Sequence, residues 1–234
     1  MVDKTKYKLI IFDLDDTLFD YEKTERKALK MACEYFGLSY TENIYHLYKT
    51  INKNVHKSHQ ILVNQDDFTK FRVERASVFL SSLQKQNDIN PSDFSAKQLE
   101  FSTKGVLINS VYKTLKAIDK SIIKIIATNG TNYPRKNKIE NSRIRTYIDG
   151  FYSSEDLGVQ KPDSQFIEKI ISCYSIDKEN ILIVGDNLET DIQGALNIGI
   201  DSCLFNFRKK HLPSSLQKTV KVINLFSDLL HILN

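Results

Sequence analysis

Three carboxylates, Asp13, Asp15 and Asp16, crowd together directly after the apolar run Leu9-Ile10-Ile11-Phe12. Gathering carboxylates is electrostatically unfavourable unless a cation sits between them or one stays protonated. Asp13 and Asp15 are two apart, so in extended chain their side chains share a side. A second acidic pair, Asp186 and Asp191, lies in Gly185-Asp186-Asn187-Leu188-Glu189-Thr190-Asp191, after the apolar run at residues 180–184. Alone, Asp191 reads equally well as a carboxylate at the favourable end of a helix dipole. Two acidic clusters closing two strands describe instead a hard-cation site with oxygen ligands, best suited to Mg²⁺.

Two further segments suit an anion. Thr128-Asn129-Gly130 follows the apolar run at residues 121–127 and offers a hydroxyl, an amide and an approachable backbone, although alone it is an ordinary polar turn. Lys161, fixed by Pro162 just before a helix start, can neutralise phosphate; alone it is a surface charge.

The elements that must position these groups are legible in outline. Residues 8–12, 121–127 and 180–184 are short, β-branched and followed by polar or glycine residues, the pattern of buried parallel strands. Residues 201–205 and 220–224 are weaker strand candidates. Leu107, Val111, Leu115 and Ile118 recur at helical spacing, as do Phe166, Ile167, Ile170, Ile171 and Tyr174 after an N-cap at Asp163. Residues 191–198 predict a short helix ended by Gly199. Alternating strands and helices predict an α/β fold with a doubly wound parallel sheet.

One stretch breaks the alternation. From about residue 21 to residue 104 only helical stripes occur: Leu29, Ala32 or Cys33 and Phe36, ended by Gly37; Ile44, Leu47, Tyr48, Ile51 and Val55, begun by Thr41; and Phe68, Phe71, Phe79 and Leu83. Asn90-Pro91 marks a turn. The expected organisation is an α/β core at 1–20 and 105–234 with an all-helical subdomain inserted at 21–104. The aromatics of that insert, Tyr35, Phe36, Tyr40, Tyr45, Tyr48, Phe68, Phe71 and Phe79, are expected in its core. His56 and His59 are expected as solvated helix residues, since no Cys or further His completes a metal site.

Asp13-Leu14-Asp15-Asp16-Thr17, then Thr128, Lys161 and the Gly185-to-Asp191 segment, in this order and at these intervals, resemble the four motifs of the haloacid dehalogenase-like (HAD) superfamily. The match is to the branch with a helical cap between the first two motifs, over about residues 8–205. Thr128-Asn129-Gly130 and Gly158-Val159-Gln160-Lys161-Pro162-Asp163 are similar to the pyrimidine 5′-nucleotidase-like subfamily. The resemblance implies a Rossmann-like core and a Mg²⁺-dependent phosphomonoester hydrolase, acting on a small phosphorylated metabolite such as a nucleoside 5′-monophosphate. It implies that Asp13 attacks phosphorus to form an aspartyl-phosphate and that Asp15 is the general acid, then base. Thr17 would help orient Asp15, and Thr128, Lys161 and Asn129 would hold the phosphoryl oxygens. Asp13, the Asp15 backbone carbonyl and Asp186 would bind Mg²⁺, with Asp191 supporting the metal or Lys161. Asp15 argues against carbon–halogen cleavage, whose halide leaving group needs no acid. A phosphosugar mutase with the same Asp pair, or a non-catalytic phosphate-binding module, are the alternatives.

Composition agrees with an ordinary globular protein. The 234 residues are 41% hydrophobic and 26% charged, enough to bury a core without a disulfide or structural metal. The net charge of +4 is spread along the chain rather than gathered in a basic stripe, so a small anionic partner is expected and nucleic acid is not. Cys33, Cys173 and Cys203 have no paired spacing and predict reduced, buried thiols. The polar, Lys-rich start at residues 1–8 and the absence of a long apolar stretch predict neither a secretion signal nor a membrane span. A cytoplasmic monomer or homodimer is expected.

Overall fold

The computed structural model describes residues 5–59, 65–212 and 220–233. It divides into two compact units, one of residues 1–21, 106–130 and 142–234, the other of residues 22–105 and 131–141. Residues 131–141, placed by the sequence reading with the α/β part, thus group with the helical one.

The α/β unit is built on β1 (Leu9–Phe12), β2 (Ile123–Thr128), β3 (Gly150–Ser153), β4 (Ile181–Gly185), β5 (Asp201–Phe205) and β6 (Lys221–Ile223), all parallel, in the order β3-β2-β1-β4-β5-β6. β1 is buried throughout because side chains on both sides of the strand meet helices. Leu9 and Ile11 pack with Ile125, Ile181 and Ile183 against Phe166, Ile167 and Ile170 of a helix at Ser164–Ile171. Asp163 caps that helix by accepting from the Gln165 backbone N–H at 2.9 Å. On the opposite face Phe12 and Phe205 lie 5.9 and 5.4 Å, centroid to centroid, from Phe226. The weaker strand candidates are β5 and β6. β3 escapes a sequence reading because Gly150 opens it and no β-branched run marks it.

The helical unit contains α1 (Tyr21–Tyr35), α2 (Glu42–Ser58), α3 (Gln65–Ser82) and α4 (Pro91–Ser102), joined by α6 (Asn132–Glu140), with α5 (Val111–Ala117) belonging to the α/β unit. Thr41 and Asn90 cap α2 and α4 through their side-chain oxygens. Leu29, Tyr45, Tyr48, Phe71, Phe79 and Phe94 form a core separate from that of the sheet. A polar network crosses it: Tyr48 and Gln98 exchange hydrogen bonds at 2.8 and 2.6 Å, and Arg75 donates to Asn52 at 2.8 Å and to Gln98 at 3.2 Å.

Several expectations need correction. Cys173 is exposed, because it follows the end of the Ser164–Ile171 helix; Cys33 and Cys203 are buried. Tyr35 is 59% exposed: as the last residue of α1 it presents its ring edgewise to Phe36 and Phe101 rather than entering the core. Phe68 is only partly buried, whereas Phe36 and Tyr40, also partly buried, pack against the helical core as expected. Leu107 is outside a helix, since it pairs with Phe19 in an antiparallel bridge. His59 bonds Glu74 at 2.7 Å, and both His56 and His59 set their rings edgewise on Phe71. No helix among the described residues is long and apolar enough to cross a membrane.

Phe166, fully buried between helix and sheet, gives a direct test of this core. Phe166→Ala is expected to lower the unfolding free energy by about 3–5 kcal/mol, read from urea denaturation.

Candidate active site

Register decides what meets at the crevice. Phe12 lies level with Ile126 of β2 and Val184 of β4, so Asp13, Thr128 and Asp186 leave the sheet close together. The Asp13 backbone N–H donates to Val184 O at 2.9 Å, carrying the ladder one residue past β1. β1 lies between β2 and β4, and the carboxyl ends of such central strands are where open parallel sheets receive ligands.

Lys161 is 5% exposed, yet it is a cation. Its Nζ donates to Asp13 Oδ1 at 2.7 Å, Asp191 Oδ1 at 2.6 Å and Ala127 O at 2.9 Å, which matches its three protons. Burial works against the charge, but Asp13 and Asp191 outweigh it and hold the ammonium above its ordinary pKa. The Lys161 backbone is fixed as well. Asn129 accepts from Lys161 N at 2.9 Å and donates from Nδ2 to Lys161 O at 2.9 Å. The Asn129 amide, expected at a phosphate, therefore clamps the lysine.

Asp191 reaches the lysine from a wide, π-type turn at Leu188–Gln193, followed by a short helix at Gly194–Asn197, instead of the single helix expected over residues 191–198. Asn187 fixes the turn by accepting from Glu189 N and Thr190 N at 2.9 and 3.1 Å, and its own N–H donates to Asp191 Oδ2 at 3.1 Å. A Cβ at position 185 would overlap the Asp191 carboxylate, so Gly185 is required by this close approach. The sequence reading missed the part of Asn187; a short polar side chain immediately before a turn is the signal that could have found it.

Oxygens of Asp13, Asp186 and Asp191 all lie within 4.8 Å of one another. Burial first, and the neighbouring carboxylates next, push Asp186 up to about 7. Burial also raises Asp13, to about 6, although Lys161 opposes it. With all three ionised, Lys161 offsets one charge and two remain. A donor set of hard oxygens carrying that surplus fits a divalent cation such as Mg²⁺.

Asp15 is half-buried and stands outside this cluster. The extended chain expected through residue 15 ends sooner: Leu18 N and Phe19 N both donate to Leu14 O, at 2.9 and 3.0 Å, and Asp15 bridges to Phe19. That tight turn buries Thr17, whose hydroxyl has no hydrogen-bond partner and so makes no hydrogen bond to Asp15. Thr128 is 3% exposed at the end of β2, with its hydroxyl 3.5 Å from Asn129 O. The structure thus joins Asp13, Lys161, Asp186 and Asp191 into one cluster and ties Asn129 to it.

Comparisons with known proteins give the same picture. A family profile described as haloacid dehalogenase-like hydrolase matches residues 10–205. The chain is 29% identical to pyrimidine 5′-nucleotidase PynA of Streptococcus pneumoniae, over 97% of this chain and 95% of that one. It is 26% identical to HAD-hydrolase YfnB of Bacillus subtilis, over 98% and 96%. A crystal structure of YfnB bound to magnesium superposes with a TM-score of 0.79 at 25% identity, covering 97% of this chain and 99% of that one.

The crowding at Gly185 has a measurable consequence. Gly185→Ala is expected to cost about 1–3 kcal/mol of stability through overpacking. Gly194→Ala, where a Cβ meets Pro162 O at an ordinary 3.6 Å, is expected to be neutral or stabilising. Urea unfolding of the two variants checks the contrast.

Proposed function

The chain belongs to the haloacid dehalogenase-like hydrolases, and on that premise we propose that it is a Mg²⁺-dependent phosphomonoesterase working through an aspartyl-phosphate on Asp13. The observation that carries this reading is the buried Lys161 ammonium bonded to both Asp13 and Asp191 beside Asp186. A carboxylate attacking an anionic ester meets like-charge repulsion, and a fixed cation at the nucleophile offsets it.

In this reading an Asp13 oxygen bonds to phosphorus as the ester P–O bond breaks. Asp15 gives its proton to the departing alcohol oxygen, then takes one from the water that attacks phosphorus. Inorganic phosphate leaves and the Asp13 carboxylate is restored. Asp13, the Asp15 backbone carbonyl and Asp186 are the proposed Mg²⁺ ligands, with Asp191 supporting them through Lys161. Bound Mg²⁺ would polarise a phosphoryl oxygen and offset the charge that gathers on it. Thr128 is assigned to the phosphoryl oxygens, and Asn129 acts there through Lys161.

The helical unit is proposed as a cap subdomain, and the substrate as a small phosphorylated metabolite. A nucleoside 5′-monophosphate is the first choice, because PynA is named as a pyrimidine 5′-nucleotidase. The proposed setting is cytoplasmic.

Phosphate release from nucleoside monophosphates, sugar phosphates and small esters, with and without Mg²⁺, tests the reading. Asp13→Asn is expected to abolish turnover while the protein stays folded; retained turnover would remove Asp13 from the mechanism, and isomerised sugar phosphate would indicate a mutase. A second test uses pH. The raised pKa values of Asp13 and Asp186, about 6 and 7, mean that without metal the folded state holds more protons than the unfolded one between about pH 4 and 7. Stability from these groups therefore falls as pH rises through that range. Mg²⁺ must displace those protons, so its stabilising shift in Tm is expected to grow from about pH 6 to about pH 8. A shift independent of pH would contradict the assignment of these ligands.

A further inference from the structure

We propose that Arg208 is a positioning residue for Asp15, an inference that rests on the general-acid role assigned above and adds a part of the chain outside the four motifs. Arg208 lies in the turn that follows β5. Its Nη2 is 2.8 Å from Asp16 Oδ1 and 3.0 Å from Asp20 Oδ1, so one nitrogen serves two carboxylates. Both acids belong to the turn that carries Asp15. Asp16 is the next residue, and Asp20, 1% exposed, closes the turn by donating its backbone N–H to Val106 O at 2.8 Å.

The turn needs holding. Asp16 sits at φ 61°, a left-handed conformation that Asp, unlike most residues with a Cβ, adopts through local bonds of its own side chain. Its N–H donates to Phe19 O at 2.6 Å, and its Oδ1 also accepts from Tyr21 N at 3.0 Å. Asp15 is therefore aimed by a neighbour whose own geometry depends on where its carboxylate is held. Arg208 supplies the cation shared by Asp16 and Asp20, whose like charges otherwise oppose that closure.

The arginine is itself presented by a fixed loop. Asn206 N donates to Ile223 O at 2.8 Å, tying the start of the turn to β6. The Asn206 amide accepts from Lys210 N and donates to Lys210 O, both at 2.9 Å. This repeats the clamp that Asn129 places on Lys161. The Arg208 guanidinium lies 4.7 Å from the Phe207 ring centroid. The constraint thus runs from β6 through Asn206 to Arg208, then to Asp16 and Asp15.

Two probe esters separate positioning of an acid from general structural damage. An alkyl ester, glycerol 2-phosphate, needs its leaving oxygen protonated; an aryl ester, 4-nitrophenyl phosphate, departs largely without help. Because kcat/KM reports the steps through departure of the alcohol, Arg208→Ala is expected to lower it for the alkyl ester at least about tenfold more than for the aryl ester. Arg208→Lys, which keeps a single nitrogen cation, is expected to recover most of the difference. Thermal unfolding of each variant monitors the fold, and Arg208→Gln replaces alanine if that variant does not fold. Equal loss on both esters, no loss, or no recovery by lysine would overturn the proposal. Asp13→Asn, run beside them, judges the mechanism separately: turnover retained there defeats the aspartyl-phosphate reading, whereas turnover lost there with no leaving-group effect at Arg208 defeats only this inference.

Discussion

A primary ammonium withdrawn from water sets the terms for the whole site. Lys161 is 5% exposed, and such a charge is tolerable only with excellent partners on every proton. Asp13 just after β1, the Ala127 carbonyl near the end of β2 and Asp191 in the turn that follows β4 provide them. Each partner is then bound by the same constraint. If Asp191 withdrew, the lysine would lose an acceptor and Asp13 would carry more of the charge. This mutual dependence explains why the backbone around the cluster is so closely determined, with Asn129 on both sides of Lys161, Asn187 inside the turn of Asp191, and glycine at position 185 where a methyl group would collide.

The sheet makes that cluster possible by ordinary packing. Parallel strands covered on both faces are apolar along their length, so polar side chains are excluded until the strand ends. Leu9 and Ile11 turn to one layer while Phe12 turns to the other, and the first residue free to be ionic is Asp13. The register of β1 with β2 and β4 sets Phe12 level with Ile126 and Val184, so Asp13 emerges within one residue of the level of Thr128 and Asp186. The same burial that stabilises the strands raises the carboxyl groups of Asp13 and Asp186.

Asparagine amides recur as the fastening device. Asn129 and Asn206 each grip the backbone N–H and carbonyl of a lysine, 32 residues away for Asn129 and four for Asn206, and in both cases the loop they fix presents a cation to acidic groups. An amide suits this work because it donates and accepts in one plane without adding charge to a site already crowded with it. The helical unit uses amides differently: Asn52 and Gln98 receive the Arg75 guanidinium beside Tyr48, within a core otherwise built of aliphatic and aromatic side chains.

Legible in the amino-acid sequence alone were the alternation of elements, the strand end at Phe12 and, to within one residue, those at Thr128 and Gly185, the caps at Thr41 and Asp163, and the residue types of the site. These are local properties, set by period, β-branching and the short-range chemistry of caps, and they survive any change in how distant segments meet. It did not determine that Asn129 serves Lys161, that Thr17 turns into the interior without a partner, that residues 188–193 widen into a π-type turn, or that Arg208 reaches Asp16 and Asp20. Nor did it mark β3, whose glycine start and mixed side chains give no periodic signal, or place Tyr35 and Cys173 at the surface. Those outcomes depend on which segments become neighbours across tens to hundreds of residues. Only the closed tertiary structure decides that, because burying an ion or filling a layer is a condition on the whole set of surrounding groups and not on any one stretch of chain.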